Sequence, residues 1–204
     1  MYKVYFEDRT VFLTTQFDKC YRNYNGLFIK YLNEIQLAYV MELFKSIKEI
    51  KNVFIIHYDP EKIFNEFKSF FQVVEAAGGL VYNEKGQVLV IKRRGNWDLP
   101  KGKKENGEEP NKCALREVEE ECSVNNLMVR DLLHISYHSY FMEGSMMLKK
   151  TYWYKMHHEG ESNPLPQTEE DITEVKWVDP EDLPKITDNT YGTIIDVLHS
   201  DELI

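Results

Sequence analysis

The sequence predicts a two-part α/β chain, with a small α+β domain over residues 1–71 and a larger mixed-sheet α/β domain over residues 72–204. Three observations carry this. Short apolar runs alternate with helical patterns as far as Phe71. From Gln72 onward the runs lengthen into strands separated by turn residues. One strongly acidic amphipathic segment, residues 110–122, interrupts those strands. A chain of 204 residues with 43% hydrophobic content can bury a substantial core in one domain or two small ones. The boundary falls near residues 70–76, where no linker composition marks it.

In order along the chain, KVYFED and TVFLTT read as strands around an Asp8-Arg9 turn, and LFIKYL follows an Asn25-Gly26 turn. The segment NEIQLAYVMELFKSIKEIK predicts an amphipathic helix, with Ile35, Ala38, Leu43 and Ile47 as its apolar face. NVFIIHY is a buried strand. Pro60 then opens a helix that sets Ile63, Phe64, Phe67, Phe70 and Phe71 at helical spacing. In the second part, QVVEAAGGLVYN and QVLVIKRR flank a Glu84-Lys85-Gly86 turn as an antiparallel hairpin. LMVRDLLHISYHSYF and MLKKTYWYKMH pair around Gly144, ITEVKWV is a further strand, and a DPEDL helical turn and a helix near TYGTIIDVLHS close the chain. Trp97 and Trp177 are expected in the core or against the loop before the acidic helix.

Composition excludes several classes. No apolar run is long enough to span a bilayer, and Lys3, Glu7, Asp8, Arg9 and Asp18 interrupt what a signal peptide would keep apolar, so a cytoplasmic protein without membrane association is expected. Cys20, Cys113 and Cys122 form no CxxC pair and read as buried thiols. A formal charge of −9 disfavours extended nucleic-acid binding but allows small phosphorylated ligands, because a bound cation can reverse the field in an acidic site.

The informative stretch is GKKENGEEPNKCALREVEEECSV, residues 102–124. Pro110 suits a first helical turn, and Leu115, Val118 and Cys122 form an apolar stripe over a helix from Pro110 to Cys122. Glu117, Glu120 and Glu121 then share a face, away from that stripe. Like charges at these spacings repel by about 0.2–0.5 kcal/mol per pair in an isolated helix. They also sit where the macrodipole disfavours anions. The cluster makes sense around a hard divalent cation, which takes oxygen ligands and bridges carboxylates to phosphate. Arg116, four residues before Glu120, can hold one carboxylate in place. The plain alternative is a solvated acidic face.

The loop before the helix, WDLPKGKKENGEEP, shifts the balance. Gly102, Glu108, Arg116, Glu117, Val118, Glu120, Glu121 and Val124 stand at the offsets of the Nudix box, which the stretch resembles, with Ser123 where that family has Gly. The substituted Gly ordinarily ends the helix in a left-handed conformation, where Ser costs on the order of 1 kcal/mol. The resemblance implies a C-terminal α/β/α sandwich that hydrolyses a diphosphate linkage in a nucleoside diphosphate derivative with Mg²⁺ or Mn²⁺. It also implies Glu117, Glu120 and Glu121 as metal ligands, Arg116 as the orienting residue and Glu108 as a brace between loop and helix. The general base it implies is a box glutamate, Glu117 or Glu120, or a later one among Glu169, Glu170 and Glu174.

KRRGNWDLPKGK and KKTYWYKM are similar to segments of the diadenosine-tetraphosphate hydrolase branch, which implies a dinucleoside polyphosphate or nucleoside triphosphate as the small-molecule substrate. ADP-ribose, another nucleotide sugar, diphosphoinositol polyphosphates and a non-hydrolytic ligand sensor are the alternatives. In that branch a tyrosine beyond the box stacks on the base, which makes Tyr137 and Tyr140 candidates against ordinary strand packing. Lys92, Arg93, Arg94, Lys101, Lys103 and Lys104 flank the box and can neutralise a polyphosphate, with Lys101 and Lys103 beside Gly102 favoured. His134, His138, His157 and His158 lack a third ligand at metal spacing and are expected to be structural. The first seventy-odd residues lie outside the resemblance and are expected to serve packing or oligomerisation, as in a homodimer.

Overall fold

The computed structural model describes residues 1–19, 21 and 24–204, so the expected burial of Cys20 lies outside the described residues. The chain divides into two compact units, residues 1–74 with 137–149, and residues 75–136 with 150–204.

The first unit holds β1 (Tyr2–Phe6), β2 (Arg9–Thr14), β3 (Gly26–Lys30), α1 (Glu34–Ser46), β4 (Asn52–Ile56) and α2 (Pro60–Lys68). β1 and β2 are antiparallel, whereas β2 and β3 both run parallel to the central β4. The tip of a later hairpin joins this unit, since Tyr137 and His138 pair in parallel with Val4 and Tyr5. Asn33 and Asp59 cap α1 and α2 by accepting from the backbone N–H of Gln36 and Lys62.

Packing selects a different face of α1 from the one its spacing predicts. Leu37, Val40, Met41 and Phe44 are buried, while Ile35 is 70% exposed and Ala38, Leu43 and Ile47 also face solvent. α1 carries two apolar stripes, and the chosen one holds Phe44, whose ring packs edge-on against Phe6 and beneath the Arg9 guanidinium. Arg9 also donates to the Phe44 carbonyl. α2 ends at Lys68, so Ile63, Phe64 and Phe67 are buried on the helix while Phe70 and Phe71 follow it, half-buried. On the other sheet face, Phe12, Phe54 and Phe28 stand in register on β2, β4 and β3 and stack at 4.5 Å spacing.

The second unit contains β5 (Gln72–Tyr82, from Glu75 onward), β6 (Val88–Arg93), β7 (Asn96–Asp98), β8 (Lys101–Lys103) and α3 (Pro110–Cys122). Into it run β9 (Leu127–Met142) and β10 (Ser145–His158), followed by β11 (Ile172–Val178), α4 (Leu183–Thr187) and α5 (Gly192–Ser200). Its strand order is β11-β6-β5-β10-β9, with β7 on β6 and β8 on β5. Strand alternation sends Ala77, Val81, Leu89, Ile91 and Met156 towards α3. Leu80, Val88, Val90 and Trp153 face α4 and α5 instead. This is an α/β/α sandwich. Trp97 packs on the α4–α5 side and Trp177 on the α3 side. Cys113 and Cys122 are buried free thiols, as expected.

Phe54 is fully buried at the centre of the aromatic ladder. Phe54→Ala should lower stability by about 3–5 kcal/mol, read as a shift of the urea midpoint with unchanged slope.

Candidate active site

The site is built from one strand–loop–helix. β8 pairs antiparallel with β5, Gly102 facing Ala77, and this seats the loop over α3. Gly102 is required by close approach, because a Cβ there would lie 1.8 Å from Glu117 Oε2. α3 runs from Pro110 to Cys122 and is capped by Ser123, which has φ 54° and ψ 35°. Ser123 therefore keeps the left-handed geometry of the glycine it replaces, and its N–H donates to the Glu119 carbonyl.

Arg116 organises the carboxylates. Its Nε and Nη2 donate to the two oxygens of Glu108 at 2.9 and 3.0 Å, a bidentate pair across loop and helix. Nη1 reaches Glu117 at 2.7 Å and Glu120 at 3.0 Å, and Nη2 also donates to the Lys103 carbonyl. Glu108 accepts the Glu105 N–H as well, and the Arg116 guanidinium holds its carboxyl down to about 2. The same contacts push Arg116 further up.

The three helix carboxylates differ in environment. The Glu120 side chain is 50% exposed, Glu117 13% and Glu121 2%. The expectation that all three stand clear of the apolar face fails for Glu121. It points inward, accepts from the Lys101 backbone N–H at 2.9 Å, and lies 3.5 Å from Arg93 Nη1. Burial pushes its carboxyl up to about 7, and burial raises Glu117 too.

Of the later glutamates, Glu170 is tied to this group. It ends a 3₁₀ turn at Thr168–Glu170 and accepts from Arg93 Nη2 at 2.6 Å, so Arg93 bridges Glu170 and Glu121. Glu174 pairs instead with Lys176. The approach to that turn is docked on the end of α3, Leu165 and Gln167 N–H donating to the carbonyls of Cys122 and Glu121. Arg94 pairs with Asp171 and lines a recess of about 620 Å³ beside Thr168 and Thr173.

Lys101 is half-buried, with its Nζ on the buried carboxylate of Asp98, a partner sequence spacing did not single out. Lys103 is exposed. Lys104, Glu75, Tyr152 and Lys150 form a chain of contacts from the loop onto β5 and β10, also missed in the sequence because it links three separate segments. Tyr140 belongs to the first unit, where it stacks on His138, while the box belongs to the second.

Among the described residues no three His, Cys, Asp or Glu side chains are already grouped as a metal ion would need them, and Arg116 Nη1 lies between Glu117 and Glu120. The donor chemistry fits a hard divalent cation. All the donors are carboxyl oxygens, and Glu117 and Glu121 are desolvated carboxyls whose ionised form gains from a neighbouring positive charge.

An α/β/α sandwich whose glycine loop and acidic helix meet through one arginine is a distinctive class of fold and site. The family model of the NUDIX domain matches residues 73–197, more than half of the chain, and the chain belongs to that family. An RNA pyrophosphohydrolase of Roseobacter denitrificans is 44% identical over 52 residues, 24% of this chain and 32% of that protein, so the chain matches about a third of that relative. The fold is similar to a Caenorhabditis elegans Ap4A hydrolase binary complex, with TM-score 0.52 and 23% identity over 63% of this chain and 94% of that one. It is also similar to a MutT protein from Methanosarcina mazei Go1, with TM-score 0.50 and 19% identity over 64% of this chain and 94% of the other.

Two predictions test the scaffold. Ser123→Gly should raise stability by up to about 1 kcal/mol, measured by urea unfolding, since glycine removes the Cβ penalty at positive φ. Glu108→Gln should cost about 1.5–3 kcal/mol near neutral pH through loss of the charged fork. Because the folded Glu108 carboxyl is depressed, wild type's advantage should be complete above about pH 4.3 and shrink as pH falls from there toward 2, followed by unfolding at stepped pH.

Proposed function

We propose that this chain is a divalent-metal-dependent pyrophosphohydrolase that cleaves a diphosphate linkage in a nucleoside diphosphate derivative, a dinucleoside polyphosphate or a nucleoside triphosphate. The observation that carries the reading is the Arg116 fork, which gathers Glu117 and Glu120 on the helix that also bears Glu121.

Glu117, Glu120 and Glu121 would hold Mg²⁺ or Mn²⁺, which when bound neutralises the phosphates and acidifies attacking water. The chain's own groups supply position and charge. Arg116, anchored on Glu108, sets the rotamers of Glu117 and Glu120 before substrate arrives. Glu120, half exposed, is the box carboxylate open to a solvent proton, and Glu170 is the second candidate base, held by Arg93. Lys103 and Arg94 offer cations to the phosphates from an exposed loop and from a recess beside Glu170. Lys101 acts more through its backbone, whose N–H fixes Glu121, than through its Asp98-bound ammonium.

The test is a panel of dinucleoside polyphosphates, nucleoside triphosphates, ADP-ribose and 5′-triphosphorylated RNA, each with Mg²⁺ and with Mn²⁺. At least one should turn over, and Glu120→Gln should lower kcat by about 10²-fold or more with the fold retained. Tight binding of one compound without turnover would indicate a sensor, and unchanged turnover in Glu120→Gln would remove Glu120 from the site.

A further inference from the structure

Among the described residues β3 pairs with β4 alone, so its other side is a sheet edge of the first unit. An open edge presents a row of N–H and C=O groups without strand partners, and proteins ordinarily blunt it. β11, an edge strand of the second unit, is blunted twice, by a register shift between Ile172 and Glu174 and by the charges of Glu174 and Lys176. β3 has neither device. Its sequence is GLFIK, its register with β4 is unbroken from Gly26 to Lys30, and its one charge stands at the end.

Apolar side chains lie beside this edge on both faces of the sheet. On the face away from the helices, Phe28 ends the ladder it forms with Phe54 and Phe12 and is 40% exposed, with Phe17 edge-on to it at 4.8 Å. On the helix face, Ile35, Tyr39, Leu43 and Ile47 recur every four residues as the second stripe of α1, the one its packing leaves uncovered. Leu32, Ile35 and Tyr39 are 68–70% exposed. The right-handed sense of β–α–β crossovers turns this stripe to the β3 side of α1, where Leu32 leads from strand to helix. Eight of the sixteen large hydrophobic residues exposed among the described residues fall between Phe17 and Ile47, so the exposure is a property of this edge.

We infer that this edge is a self-association surface, on which a second copy of the chain docks by antiparallel pairing of the two β3 strands about a two-fold axis at Phe28. The strand is complementary to itself. Pairing there sets Leu27 against the partner's Ile29 and Gly26 against the partner's Lys30, so no like charges oppose each other. Phe28 meets the partner's Phe28, which continues the aromatic ladder across the axis, while the two α1 stripes face each other on the other side. At usual side-chain sizes the exposed parts of Phe28, Leu32 and the α1 stripe come to roughly 700 Å² per copy, close to the ~800 Å² per partner of a standard interface. A lone peptide strand added to β3 would leave the α1 stripe in water, and a second copy covers both. The surface uses none of the box residues and does not depend on the reaction proposed for them.

The test is sedimentation equilibrium on the full-length chain, joined to amide hydrogen exchange along β3. Wild type should be a dimer at micromolar concentration, with the β3 amides that do not bond to β4 protected. Ile35→Lys combined with Tyr39→Lys, at positions too exposed to disturb the core, should weaken association about 10²-fold and remove that protection, with far-UV circular dichroism unchanged. Leu32→Lys, outside the helix, should act in the same direction and decides the matter if the helix variant fails to fold. A wild type that stays monomeric at tens of micromolar would overturn the inference, as would a dimer indifferent to these substitutions. Dissociation with β3 exchange unchanged would overturn the strand pairing.

Discussion

The Arg116 guanidinium is the constraint on which the candidate site rests. Three carboxylates of one helix lie within four residues of each other, near a helix end that repels anions. Arg116 counters that repulsion at short range, and its planar fork meets Glu108 on one edge while Nη1 spans Glu117 and Glu120. Lysine carries the same charge but has no such fork. Because Glu108 also accepts the Glu105 N–H, one residue ties the loop to itself and, through Arg116, to the helix. The loop geometry and the carboxylate rotamers are therefore not independent.

Glu121 belongs to a different level of the structure. Its desolvation is offset from outside the helix, by the Lys101 N–H and by Arg93 on β6. Arg93 in turn holds Glu170, so the position of the 3₁₀ turn is coupled to the buried carboxylate. Two arginines thus divide the work, Arg116 setting Glu117 and Glu120 and Arg93 linking the buried Glu121 to the loop.

Much of this was legible in the sequence because the box acts through fixed offsets on one helix. Glu108, Arg116 and the three glutamates are set by 3.6-residue geometry and a short loop, so their meeting needs no knowledge of distant strands. What the offsets could not show is depth. Glu121 falls beside Glu120 on a helical projection, yet the sheet covers one and leaves the other half in solvent. The same limit explains α1, where two apolar stripes compete and only the partners Phe6 and Arg9 decide for Phe44. Asp98 under Lys101 and the links from Lys104 to Glu75 and from Glu75 to Tyr152 were invisible because their partners come from different elements.

Ser123 shows how tertiary contacts can hold a residue in a conformation its own chemistry disfavours. The left-handed turn sends the chain away from the axis of α3 and leaves the carbonyls of Glu121 and Cys122 in need of donors. Those donors arrive from Gln167 and Leu165, forty-odd residues later, and the segment that supplies them leads directly into Glu170. A relaxed helix end at Ser123 would redirect these carbonyls and release that segment. The local strain of about 1 kcal/mol is smaller than the two backbone hydrogen bonds together with the placement of Glu170. The turn therefore persists without glycine, and the family's residue at this position is a convenience of backbone energetics, separate from the chemistry of the site.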